Sequence, residues 1–216
     1  MPFIRTRSRA RLRTTAVLVG VLALGGVAGC TSVETPPPGT TDTADTAAQL
    51  DQLTVAAAAS MRGYSRERFP HWRNAGKNCD VRDTVLQRDG TGIKLSGCNV
   101  VGGRWSSRYD KRTLADPSDV DIDHMVPLAN AWRSGADDWN DDKRGDFAND
   151  LDRPQLVAVS ASSNRAKGDQ DPSQWKPSNR DDWCGYAEDW IAVKHHWRLS
   201  VTTAEKAALD DMLGSC

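Results

Sequence analysis

The sequence is poor in large apolar side chains, carries no excess of positive charge, and has no long hydrophobic stretch in its body. Only 38% of its 216 residues are apolar, which excludes a polytopic membrane protein and suits one globular domain with extensions. Phe and Tyr are scarce at 3 each, so the 8 Trp must supply much of the core. Charge is close to balanced, with 28 Lys and Arg against 29 Asp and Glu. Arg5, Arg7, Arg9, Arg11 and Arg13 all precede residue 30 and no acid does, so the remainder has a formal charge of −6. That excludes a strongly basic nucleic-acid coat; phosphate recognition must rest on a local patch or a metal ion. No Cys-x-x-Cys pair occurs, which argues against a zinc site. No Arg-Arg pair precedes the apolar run, which favours general secretory over twin-arginine export.

What is present at the N-terminus is an apolar run from Ala16 to Ala28, broken only by Gly and too short to span a bilayer comfortably. It ends in Val27-Ala28-Gly29-Cys30, which resembles the lipobox of bacterial lipoproteins, where the Cys is diacylated and becomes the first mature residue. The alternative is a plain secretory signal with a chance Cys. Residues 1–29 are therefore expected to be a lipoprotein signal peptide, and Cys30 a lipid tether to the outer face of a membrane. Residues 30–48, rich in Thr, Pro and Ala, cannot bury enough surface to offset ordering, and are read as a disordered tether. The folded domain is expected over 49–216. It holds four further cysteines, Cys79, Cys98, Cys184 and Cys216, an even number that suggests two disulfides in an exported domain. Three pairings are open; Cys79–Cys98 with Cys184–Cys216 closes modest loops within one region each.

No internal repeat is visible. Apolar spacing predicts a helix over Leu50 to Met61. Thr84 to Arg88, ending at the Asp89-Gly90 turn signal, and Ile93 to Val101 read as a strand and its return. Val120 to Asp123 and Leu156 to Val159 are further strands. Leu128 to Ser134, Asp137 to Asn149 and Asp181 to Arg198 have helical character. Thr202-Thr203-Ala204-Glu205 has the form of a capping box opening a last helix to Leu213. The class is α+β with small sheets.

The informative segment is Asp119-Val-Asp121-Ile-Asp123-His124-Met-Val-Pro127-Leu128. In a strand Asp121 and Asp123 share one face. His124 follows, and if the strand ends there its ring can turn towards the same site. A carboxylate beside a neutral imidazole suits metal-assisted hydrolysis: the acid holds a hard cation and the imidazole takes a proton from water. Forty residues on comes Asn164-Arg165-Ala166-Lys167-Gly168.

The pair D-H-x-x-P-L and N-R-x-K-G resembles the HNH endonucleases. The wider stretches CDVRDTVLQRDG, DIDHMVPLANAWRSGA and FANDLDRPQLVAVSASSNRAKGDQDPSQWKP are similar to a secreted HNH-family group akin to the nuclease domain of some modification-dependent restriction enzymes. The similarity covers roughly Tyr64 to Cys216. It implies a ββα-metal core with flanking helices and a small antiparallel sheet. It implies His124 as general base, Asp123 and Asn164 as ligands of one divalent ion, and Arg165 and Lys167 as clamps on flanking phosphates. Mg²⁺ is expected because the ligands are oxygens, and Mn²⁺ suits them too. The family's middle Asn, which orients the imidazole, falls at Gln155; a backbone carbonyl or Asn149 are the alternatives. Asp121 is either a second metal ligand or a solvent-facing strand residue.

Adjacent His195 and His196 point about 100° apart on a helix and do not share an ion easily. His71, Trp132 and Arg133 read as packing residues, and Asp137-Asp138 and Asp141-Asp142 as solvated surface. The expected function is a monomeric, metal-dependent endonuclease cutting DNA, or RNA, outside the cell membrane and touching it only through the lipid. A surface lipoprotein that keeps the frame for nucleic-acid binding or envelope structure is the competing class.

Overall fold

A computed structural model describes residues 43–76 and 79–216, so the expected signal peptide, Cys30 and the tether before residue 43 lie outside the described residues. The chain runs through α1 (Thr43–Gln52), β1 (Asn74–Gly76), β2 (Cys79–Asp80), α2 (Val81–Asp89), β3 (Gly90–Ser96), β4 (Asn99–Ser106) and β5 (Thr113–Leu114). It continues with β6 (Val120–His124), α3 (Leu128–Arg133), α4 (Asp141–Ala148), β7 (Leu156–Ser160), α5 (Ala161–Lys167), α6 (Trp183–Trp197) and α7 (Thr203–Leu213). Strands pair antiparallel in three small sheets, β1-β2, β3-β4-β5 and β6-β7. The fold is thus mixed α and β with small antiparallel sheets.

Three expectations are corrected. The helix expected over 50–61 lies at Thr43–Gln52, so residues 43–48, read as tether, form its first half. The Ala-rich stretch after it is extended, because its backbone pairs elsewhere: Ala56 N–H donates to Val201 O at 2.9 Å and Ala59 N–H to Arg133 O at 2.8 Å. Tertiary pairing here overrides helix propensity. Thr84–Arg88 is helical rather than a strand. Asp80 and Asp83 close a reciprocal capping box, and Val81, Val85 and Leu86 bury one helical face. The return strand at 93–101 is in fact two strands, turned at Gly97 with φ +64°, a conformation that suits glycine.

The β6–β7 pair sits between two buried clusters, with Ile122 opposite Ala158 and His124 opposite Leu156. Val120, Ile122, Leu156 and Ala158 join α2 and Trp105 in the smaller cluster. Val159 joins the larger one, built mainly from α3, α4, α6 and α7 around Trp132, Phe147, Tyr186 and Trp190. Asp121 and Asp123 occupy the alternate positions of β6 and bond to α5, which follows β7 directly. Ser160 caps α5, and Gly168, at φ +55°, ends it. Both disulfides that close modest loops are present: Cys79–Cys98 ties β2 to the β3–β4 turn, and Cys184–Cys216 ties α6 to the C-terminus.

Candidate active site

β6, β7 and α5 bring three of the sequence-predicted residues to one place. Asp123, His124 and Asn164 line a single open cleft of about 390 Å³, with Met61, Tyr64, Arg66, Pro127 and Gly168 among its other walls.

His124 ends β6 and is 4% exposed. Its Nε2 lies 3.0 Å from the carbonyl oxygen of Ala148. A carbonyl only accepts, so Nε2 carries the hydrogen and Nδ1 keeps its lone pair. The Trp72 ring stacks on the imidazole at 5.8 Å and 27°, and His71 meets it edge-on. Burial pushes the imidazole down to about 3, with Arg66, His71 and Lys167 adding to the fall against the pull of the Ala148 bond. His124 is therefore a neutral, oriented base at ordinary pH.

The orienting group is the Ala148 carbonyl, and neither amide proposed for that role reaches the ring. Gln155 instead pairs with the loop after β6: its Oε1 accepts from Val126 N–H and its Nε2 donates to Val126 O, both at 3.0 Å. Asn149 is spent on Arg73 N–H, Pro70 O and Gly145 O. The place of Lys167 is also corrected. Its side chain is fully buried, and its Nζ donates to Asp123 Oδ2 at 2.6 Å and to the carbonyls of His124 and Met125 at 2.9 Å. No donor is left over for a flanking phosphate.

Asp123 is 4% exposed and accepts on Oδ2 from Tyr109 Oη at 2.6 Å as well as from Lys167. Burial pushes the Asp123 carboxyl up and the Lys167 ammonium down, while their contact opposes both shifts. Asn164 donates from Nδ2 to Asp121 Oδ2 at 3.2 Å, which leaves its amide oxygen as an acceptor. Asp121 is not brought to the cleft lining; it holds Asn164 and lies 3.7 Å from Arg165, whose side chain is 75% exposed. The oxygens of Asp123 and Asn164 fit a hard divalent cation, and the open cleft gives it room for water and phosphate oxygens.

Sequence reasoning offered a backbone carbonyl as the alternative orienter without locating it at Ala148, and it missed Tyr109, Trp72 and Arg66. A backbone acceptor leaves no residue signature. Trp72 had one faint sign, its place beside His71 near the start of the resemblance.

The family model described as GmrSD restriction endonucleases, C-terminal domain, matches residues 81–212. A protein of Arthroderma benhamiae, described as "Uncharacterized secreted protein", is 48% identical over 203 residues, covering 93% of this chain and 97% of the relative. No solved structure matches. The extent of the family match, which takes in β6, β7 and α5 together, means that this chain belongs to the family of GmrSD restriction endonuclease C-terminal domains.

Proposed function

We propose that this protein is an HNH-type, metal-dependent endonuclease that hydrolyses phosphodiester bonds of DNA, with RNA as a second substrate, and that it works outside the cell membrane as a monomer. The observation that carries the reading is His124: a buried neutral imidazole, held through Nε2 by Ala148, on the same cleft as Asp123 and Asn164. The strand–strand–helix order of β6, β7 and α5 supports a ββα-metal unit. Membership of a restriction endonuclease domain family supports nuclease chemistry.

In this reading His124 Nδ1 takes a proton from the attacking water, and its fixed tautomer spares any reorganisation at that moment. Asp123 and Asn164 would hold one Mg²⁺ or Mn²⁺ ion. Such a cation, when bound, stabilises the negative charge that develops on the phosphate and the leaving oxygen. Asp121 fixes the Asn164 amide, and Lys167 with Tyr109 fixes Asp123. Arg165, exposed on α5, is the flanking phosphate contact that remains from the sequence reading. The two disulfides and the secreted relative support export; the lipid on Cys30 and the tether rest on the N-terminal sequence.

One observation favours a second reading. Asp123 is already neutralised by Lys167, as a binding frame without catalysis would keep it. Incubation with plasmid DNA decides between the two. The parent is expected to nick and linearise plasmid with Mg²⁺ or Mn²⁺ and to stop with EDTA. His124→Ala is expected to cut roughly 10²–10⁴-fold more slowly. Equal cutting by His124→Ala removes the assigned base, and metal-independent cutting removes the ion. Binding without scission under every divalent ion supports the second reading.

A further inference from the structure

The family match starts at residue 81, yet part of the cleft wall comes from earlier in the chain: Met61, Tyr64 and Arg66 lie between α1 and β1. This segment is docked firmly. Trp132 Nε1 donates to Ser60 O at 3.2 Å, and Arg144 Nε to Arg68 O at 3.1 Å. Phe69 is fully buried against Trp132 and Phe147, and the Tyr64 ring meets Trp132 edge-on at 5.8 Å.

The charges on this wall are unequal. Arg68 is engaged, with its guanidinium 5.0 Å from the Trp132 ring and 3.8 Å from Asp141. Arg133, near the cleft, is clamped by Asp169 at 2.5 Å. Lys167 is buried in its ion pair. Among the described residues that line the cleft, the cation is Arg66, which is exposed and has no side-chain hydrogen bond or ion pair to another described residue. An unpaired guanidinium offers a planar fork of donors that matches two oxygens of a phosphate.

We infer that Arg66 is a substrate-positioning residue that grips a backbone phosphate of the nucleic acid beside the scissile one, so that the segment before the matched domain is a working part of the nuclease. The inference rests on the endonuclease reading above and supplies the phosphate contact that Lys167 does not.

The test uses the full chain and a short fluorescent DNA duplex, with His124→Ala as background so that the duplex survives. Binding is followed by anisotropy across a salt series. Arg66→Ala is expected to weaken binding about ten- to hundredfold. It is also expected to lower the slope of log affinity against log salt by about 0.9, the signature of one lost phosphate contact. Arg66→Lys keeps the slope and loses part of the affinity, because the charge stays and the fork goes. With His124 restored, Arg66→Ala raises KM much more than it lowers kcat. An unchanged melting temperature for Arg66→Ala accompanies these results, since the side chain is exposed. Unaltered affinity and slope in Arg66→Ala, with the parent still cutting, overturn the assignment to Arg66 and leave the endonuclease reading standing. A parent that neither binds nor cuts overturns both.

Discussion

Two buried lysine–carboxylate pairs lie beside Trp190, and they are built almost alike. Lys167 Nζ bonds Asp123 and two carbonyls; Lys194 Nζ contacts Glu205 Oε1 at 2.7 Å, Ser134 Oγ at 2.9 Å and the Ser200 carbonyl at 2.8 Å. Each carboxylate takes a second neutral donor, Tyr109 Oη for Asp123 and Trp190 Nε1 for Glu205. Both ammonium groups stand 5.7 Å from the Trp190 ring. The difference is in the remaining carboxylate oxygen. Glu205 Oε2 is taken by Thr202 N–H at 3.3 Å in the α7 capping box, so the pair between α6 and α7 is closed. The bonds to Asp123 all fall on Oδ2, and Asp123 borders the cleft. In one pair both carboxylate oxygens are bonded within the fold; in the other the described bonds fall on one oxygen of an acid that borders the cleft.

The largest effect expected is on stability, and it treats the two pairs alike. Removing one partner strands a charge where water cannot reach it, so Lys167→Met and Lys194→Met should each destabilise by roughly 3–5 kcal/mol in urea titrations. Neutralising the abandoned acid, in Lys167→Met/Asp123→Asn and Lys194→Met/Glu205→Gln, should return much of that loss in both places. A Lys194→Met chain as stable as the parent would break the likeness.

Activity should then separate them. Asp123→Asn is expected to lower the cleavage rate of the folded protein roughly a hundred- to thousandfold, the scale on which charge-stabilising groups act in a site. Glu205→Gln is expected to leave the rate per folded molecule within about twofold, because its oxygens serve only α6 and α7. Single-turnover cutting, corrected for the folded fraction, reads both. Equal losses would mean that Asp123 is structural too.

How much of this was legible in the sequence differs between the same two regions. Asp123 and His124 were marked by local chemistry, a polar pair at a strand end, while Asn164 came from the resemblance to the HNH endonucleases; the fold brings the three to one cleft. The Thr202–Glu205 capping box was legible for the same reason, since both partners lie within one turn. Lys167 was misread because an exposed phosphate clamp and a buried counter-ion look identical in one dimension; only the packing of α5 on β6 separates them. Gln155 was misread because its partner, Val126, is joined to it through backbone atoms that no residue type advertises. Thr84–Arg88 was misread as a strand because its β-branched start hid the helical spacing of Val81, Val85 and Leu86. The extended course of 53–61 depends on Val201 and Arg133, far along the chain, and no local pattern carries that information.

The smallest effect concerns acid, and it should fall on the site half alone. The His124 imidazole sits at about 3 in the fold against roughly 6.5 when unfolded. Between those values the unfolded chain binds a proton that the folded chain refuses. The stabilisation from a neutral His124 is thus complete above about pH 6.5 and drains away as the pH falls towards 3. By about pH 4.5 the loss is on the order of 2–3 kcal/mol. His195 and His196 on α6 lie away from the cleft: His195 is half-buried beside Gln52 Oε1 at 2.9 Å, and His196 is exposed and meets Trp197 edge-on. Parent and His124→Gln are compared by urea titration between neutral pH and about pH 4.5, so that carboxylate effects common to both cancel. The parent should lose the larger share of its stability, and amides of β6 should lose hydrogen-exchange protection before those of α7. Parallel stability profiles would mean that the His124 imidazole takes up its proton alike in the folded and the unfolded chain, and burial would then not be what holds it neutral.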